Sequence, residues 1–262
     1  ERRTIDFSGK VYIAPLTTVG NLPFRRVLKK FGADITCGEM ALAPNLLKGT
    51  ASEWSLLRRH ADEDVFGAQI AGAHADQMAR VAELLEAECE LDFVDVNLGC
   101  PLDAICAKGC GAALMQRRGK LEQIARGMIG VLSCPLTIKM RTGWSDGSLL
   151  AHKLVPAIQR WYNGAPPPDA PKHAAAAAWS PLPRGSIGAV FVHGRTRLQR
   201  YTKSADWEYV RCVAAAQDPE LHKLPVIGNG DILSSADWEA HRAAGEVAPC
   251  CMLARGALIK PW

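Results

Sequence analysis

The chain has 262 residues, 48% of them hydrophobic and 22% charged, which is ordinary globular usage and enough length for one (β/α)8 barrel or two small domains. No apolar stretch reaches the ~18 residues of a membrane span, and Glu1-Arg2-Arg3-Thr4 lacks the apolar core of a signal peptide. A net charge of +4 permits an RNA partner without demanding one.

Short apolar runs rich in β-branched residues recur along the chain. They are Val11–Ala14, Asp34–Cys37, Val65–Ile70, Phe93–Asn97, Leu136–Met140, Ala189–His193, Pro225–Asn229 and Cys250–Leu253. Such runs predict buried parallel strands, because helices cover both faces of a parallel sheet. The segments between them are helical in pattern. Residues 75–88 carry Met78, Val81, Ala82, Leu84 and Leu85 on one face, and residues 121–132 repeat the stripe with Ile124, Met128 and Val131. Eight strands alternating with helices predict an α/β TIM barrel occupying residues 1–262. One segment breaks the rhythm. Gly164-Ala165-Pro166-Pro167-Pro168, the alanines 174–178 and Pro181 to Gly185 predict a low-complexity Pro/Ala surface insertion at about residues 164–187, between the fifth helix and the sixth strand.

The nine cysteines do not fall into metal-binding pairs. Cys100, Cys106 and Cys110 have five and three residues between them, and Cys250 adjoins Cys251. Free thiols of a reducing compartment and no metal site are expected. The chain begins without Met and stops at Pro261-Trp262, so a fragment of a longer protein is expected.

Catalytic groups of such a barrel gather at the C-terminal ends of its strands. Here those ends carry Pro15-Leu16-Thr17, Gln69, Asn97 with Gly99-Cys100-Pro101, Lys139 with Arg141, His193 with Arg195, Asn229-Gly230-Asp231, and Ala254-Arg255-Gly256. Taken singly, Gln69 is readily a satisfied core amide, His193 a capped buried imidazole and Cys100 a small buried hydrophobe. Seven polar or glycine-turn strand ends together point to a site instead. The last two loops offer glycine backbone and the Arg255 guanidinium to a phosphate, as barrels commonly do. Gly228-Asn229-Gly230 is no Rossmann fingerprint, since Leu233 fills the third glycine slot. A nicotinamide cofactor would therefore visit without a dedicated domain. Lys139 calls for an anionic or carbonyl partner: a Schiff-base substrate or the N1–C2=O edge of a reduced flavin.

At these residues the sequence resembles the tRNA-dihydrouridine synthases. The resemblance rests on Asn97-Leu98-Gly99-Cys100-Pro101 with Lys108-Gly109 and Gly111-Ala112-Ala113-Leu114-Met115. The runs from Ile13 to Arg26, Thr36 to Met40 and Gln199 to Lys203 are similar to a eukaryotic branch acting on the variable-loop uridine of tRNA. The resemblance implies FMN as cofactor and NADPH as transient reductant. Hydride would come from reduced FMN to uracil C6, and a proton from Cys100 to C5. It implies Pro15, Leu16 and Thr17 along the flavin ring, Gln69 and Lys139 at its polar edge, and His193 close by. Asn229, Gly230, Asp231, Ala254 and Arg255 would hold the ribityl-phosphate, and Asn97 and Arg141 would orient the uracil. An ordinary Cys, with a pKa of about 8.5, is mostly protonated at neutral pH, as a general acid should be. The basic run Arg195, Arg197, Arg200 and Lys203 is expected to hold RNA phosphates. The resemblance further implies a helical tRNA-clasping domain beyond residue 262, a monomer, and a cytoplasmic or nuclear location. Two rival functions are an FMN barrel reducing a free pyrimidine, as a dihydroorotate dehydrogenase-like enzyme does, and a non-catalytic RNA-binding scaffold.

Overall fold

All eight apolar runs form parallel strands: β1 (Val11–Ile13), β2 (Ile35–Cys37), β3 (Val65–Ala71), β4 (Phe93–Leu98), β5 (Leu136–Arg141), β6 (Ile187–His193), β7 (Val226–Asn229) and β8 (Cys251–Leu253). These come from a computed structural model that describes residues 3–166, 180–245 and 250–261. Each strand pairs with the next in sequence, and β8 closes on β1 with Val11 opposite Cys251. The sheet is the closed TIM barrel expected from the sequence. Two short additions decorate its mouth. Ala41–Leu42 pairs beside the end of β3, and an antiparallel hairpin, Gly143–Ser145 with Ser148–Leu149, follows β5.

The barrel interior is layered, because alternate residues of a strand point the same way. At the floor Tyr12, Phe93 and Phe191 meet edge to face, with ring centroids 5.1–5.9 Å apart, and Phe7 plugs the bottom against Phe191. Gly67 on β3 makes room for this layer, since a Cβ there would lie 2.2 Å from the Phe93 ring. Two residues further along β3 and β4, and at the paired position of β5, the lining turns polar, with Gln69, Asp95 and Thr137 all buried. Another step reaches Asn97, Lys139 and His193 at the mouth. The strands thus carry an apolar plug below and a polar platform above.

Helices cover the outside. α1 (Leu22–Lys30) starts at Asn21, whose side chain accepts from the Phe24 amide. α2 (Ala43–Leu47) and α3 (Ala51–Ser55) follow the second strand. α4 (Ala75–Glu88) buries Met78, Val81, Ala82 and Leu85, the stripe seen in the sequence. α5 (Asp103–Cys106) is a single turn in the loop after β4. α6 forms over Arg118–Ile129, three residues earlier than its apolar pattern suggested, and a 3₁₀ turn at Gly111–Gln116 leads into it. α7 (Ala151–Asn163), α8 (Trp207–Ala215), α9 (Ser235–Ala243) and α10 (Arg255–Ile259) complete the ring.

The expected Pro/Ala insertion needs a narrower boundary. Its residues 167–179 lie outside the described residues, but its C-terminal flank is structural. Leu182 is buried in the main core, its amide donates to the Tyr162 carbonyl at 3.2 Å, and the Gly185 amide donates to the Tyr162 hydroxyl at 2.9 Å. β6 already begins at Ile187. Proline density suggested a free loop, yet one leucine finds an apolar slot beside α7. We expect Leu182→Ala to cost about 2–4 kcal/mol, as core leucine truncations do. A denaturant midpoint equal to wild type would show that the flank packs without consequence.

Candidate active site

The mouth of the barrel holds a cavity of about 630 Å³, lined from seven of the eight strand ends, all but that of β2. Of the residues expected there, Pro15, Leu16, Thr17, Gln69, Asn97, Cys100, Lys139, Arg141, His193, Arg195, Asn229, Gly230, Asp231, Ala254 and Arg255 all line it. Arg197 does not. Its guanidinium pairs with Asp103, donates to the Pro101 carbonyl at 3.2 Å and sits 4.3 Å over the Trp144 ring. It fastens the Cys100 loop from outside rather than reaching the cavity.

Cys100 stands where β4 ends. Its amide and that of Gly99 donate to Asn97 Oδ1, at 2.9 and 3.1 Å. Burial raises the thiol above its usual range, against a weaker lowering by the Leu102 backbone amide. The group is therefore a thiol, not a thiolate, at neutral pH. Cys106 turns its Sγ to the Cys100 carbonyl, 3.5 Å away, and Cys110 packs with Ala71 and Ala73. Neither lines the cavity.

Lys139 projects into the same cavity from β5. Its Nζ donates to Asn229 Oδ1 at 3.4 Å, and Asn229 in turn donates to the Met252 carbonyl at 3.0 Å. Burial lowers its pKa to about 8, only partly offset by attraction to Asp95. His193 is pushed well below 6.5, first by burial and then by Lys139, Arg141, Arg195 and Arg255 around it. Arg195 Nη1 lies 3.3 Å from His193 Nε2. A guanidinium only donates, so Nε2 accepts and the neutral ring carries its proton on Nδ1.

Asp231 is held between two arginines. Arg195 Nη2 donates to Oδ2 at 2.5 Å and Arg255 Nη2 to Oδ1 at 2.7 Å, with the Ala205 amide adding a third donor at 2.8 Å. Burial alone would raise the carboxyl, but these donors hold it below its usual range. Two guanidiniums around one carboxylate leave one net positive charge, so the cluster still suits an anion. Gly230 makes the turn possible. It sits at φ +124°, and a Cβ there would lie 2.8 Å from Ala205 Cβ and 3.0 Å from His193 Cδ2.

Arg141 is also tethered. Its Nε donates to the Gly99 carbonyl at 2.8 Å and Nη1 to the Thr196 carbonyl at 3.0 Å, and the guanidinium also interacts with the Tyr201 side chain. Tyr201 itself was not singled out from the sequence as a site residue. It is 56% exposed, lines the cavity, and lies 4.2 Å beneath the Arg255 guanidinium. Its only signal was a place in the Gln199–Lys203 run.

The family model for dihydrouridine synthase (Dus) matches residues 12–161 and 177–262. The chain belongs to the dihydrouridine synthase family. Over its full length it is 50% identical to the NAD(P)(+) tRNA-dihydrouridine(47) synthase-like protein of Xenopus tropicalis, covering 36% of that relative. It is 49% identical to the protein of the same description from Homo sapiens, again over 100% of this chain and 36% of the relative. The chain thus spans about a third of the length of these dihydrouridine synthase relatives. Among solved structures, a nitroalkane oxidase from Streptomyces ansochromogenes aligns at TM-score 0.45 and 12% identity, over 95% of this chain and 66% of that one.

Proposed function

We propose that this barrel reduces the C5–C6 double bond of a uridine in tRNA to dihydrouridine, with FMN held in the mouth cavity and NADPH as reductant. The observation that carries the reading is the pairing of a protonated thiol, Cys100, with a cation lacking a carboxylate partner, Lys139, in one cavity. Among the described residues Lys139 makes no ion pair within 4.0 Å. A cation so placed suits a ligand whose polar edge is anionic.

The residues fit FMN on their donor chemistry. Gln69 and Lys139 would meet the polar edge of the ring, with Pro15, Leu16 and Thr17 along its face and neutral His193 beside it. The glycine turn at Gly230, with Asn229, Asp231, Ala254 and Arg255, would take the phosphate end. Bound there, FMN supplies the redox-active ring that links NADPH to the uracil. Cys100 Sγ–H then gives its proton to C5, the carbon that gains negative charge as C6 is reduced. Asn97 keeps the Cys100 backbone in place, and Arg141 braces the same loop through the Gly99 carbonyl. The names of the relatives specify position 47, and the variable-loop uridine is the target this reading adopts, in a cytoplasmic or nuclear protein. The absorption spectrum of the purified protein tests the cofactor: flavin bands are expected, and a colourless protein that takes up no added FMN refutes it.

The basic run beside β6 is mostly spent on the protein itself. Arg195 is committed to Asp231 and Arg197 to Asp103, while Lys203 pairs with Asp146 at 2.9 Å. Residues 1–262 alone are therefore expected to bind tRNA weakly. Arg200→Ala and Lys203→Ala should each lower the salt slope by about one or less, the share of a single phosphate contact. Titrations at several salt concentrations decide it; tight, steeply salt-dependent binding would place the main RNA surface on the barrel.

A further inference from the structure

The loop that carries Cys100 is tied to the barrel interior by a chain of buried amides whose direction is fixed at one end. The Gly99 and Cys100 N–H groups can only donate, so Asn97 must turn its oxygen to them. Its Nδ2 then faces Gln69 Oε1, 2.7 Å away, which turns the Gln69 amide in the opposite sense. Gln69 Nε2 accordingly points down at Asp95 Oδ2, also at 2.7 Å. The other carboxylate oxygen accepts the Thr137 hydroxyl at 2.7 Å. All four side chains are buried, Asp95 and Thr137 completely. Asp95 does not line the cavity; it lies one layer below it.

We propose that Asp95 is a positioning residue for the Cys100 thiol, acting through the amides of Gln69 and Asn97. It is the only member of the chain with two acceptor oxygens and no donor when ionised, so it alone can end both the Gln69 and the Thr137 bonds. Flipping Gln69 would set oxygen against oxygen at Asp95 and N–H against N–H at Asn97, two clashes among buried side chains. The groups facing Asp95 are Thr137 and Lys139 on β5, Gln69 on β3, Tyr12 on β1 and Cys37 on β2. Burial raises its pKa to about 6 against the pull of Thr137, Gln69 and Lys139, so at neutral pH it remains an acceptor. The thiol follows from the backbone: with the Cys100 amide pinned to Asn97, the side chain has a defined origin from which to face the cavity.

The inference rests on Cys100 being the acid, but its test does not. Hydrogen exchange resolved to the Gly99 and Cys100 amides, in the full-length flavin-loaded protein, reports the tether whatever the thiol does. With Asp95→Leu these two amides are expected to exchange at least about tenfold faster, the scale of one lost buried hydrogen bond. Oxidation of the reduced protein by tRNA should slow by at least a similar factor. Asp95→Asn is the conservative rescue. Its oxygen can turn to Gln69 and its NH₂ to the Thr137 oxygen, because a hydroxyl accepts as well as donates. Protection should return to within about threefold of wild type, since every bond of the chain is remade. Should Asp95→Leu fail to fold, the pair Asp95→Leu with Thr137→Val removes the orphaned hydroxyl. That pair is expected to recover stability while the loop amides stay fast. Wild-type protection of Gly99 and Cys100 in either leucine protein overturns the proposal, and so does an Asp95→Asn protein as unprotected as Asp95→Leu.

Discussion

Cys100→Ala is expected to keep its flavin and its reduction by NADPH while dihydrouridine formation falls by ~10²–10⁴-fold, the usual worth of a general acid. The two half-reactions separate because reducing the cofactor needs no protein thiol, whereas C5 needs a proton donor. On the proposed reading Cys100 is that donor: burial raises its pKa, which favours the protonated thiol, and its amide is tied to Asn97. Cys100→Ser should fare little better, since a hydroxyl is a far weaker acid. Anaerobic reduction followed by oxidation with tRNA measures the step directly. Wild-type oxidation by Cys100→Ala, with dihydrouridine formed, would assign the proton to another group. Cys106 and Cys110, the nearest thiols in sequence, are poor substitutes, because neither lines the cavity.

Lys139→Met should weaken the flavin or slow its reduction by roughly 10–100-fold, corresponding to about 1.5–3 kcal/mol for a hydrogen bond to a charged group. The pH dependence gives a second handle. With its pKa lowered to about 8, Lys139 loses its charge as pH rises past that point, so the wild-type reduction rate should fall on the alkaline side. Lys139→Met should lack that limb. Stability runs the other way. The unfolded chain binds this proton up to about 10.5 and the folded chain only to about 8. Between those values the unfolded state holds more protons, so folding gains stability as pH rises through the window. Thermal melts of the flavin-free protein and rate profiles of the loaded one should therefore slope in opposite directions. Parallel slopes would remove Lys139 from the site.

The barrel was legible because a parallel sheet buried on both faces writes itself as short runs of Val, Ile and Phe. α4 was legible because its apolar stripe repeats on a single face. The strand-end residues of the site could be named for a related reason: in a barrel, position along the strand tells which end a residue occupies. What the sequence hid was pairing across distance. Arg197 looked like an RNA contact because Asp103, its partner, stands 94 positions away. Asp231 sits in a loop suited to phosphate, and nothing local shows that two arginines neutralise it. Asp95 was silent for another reason. In a strand with no solvent face, a carboxylate between Val94 and Val96 breaks no visible alternation. The Arg25–Glu63 pair, at 2.8 Å and almost fully buried with Thr36 donating to the same carboxylate, went unassigned on the same grounds.

The seam of the barrel joins Val11 to Cys251, about 240 residues apart in the chain. During synthesis at ~5–20 residues per second, β1 emerges roughly 10–50 s before its last neighbour. Through that interval one side of β1 has no partner, and Tyr12 lacks the finished cylinder that will enclose it. The nascent chain therefore presents an open sheet edge until β8 appears, which is the interval in which a chaperone or a neighbouring chain can pair with it.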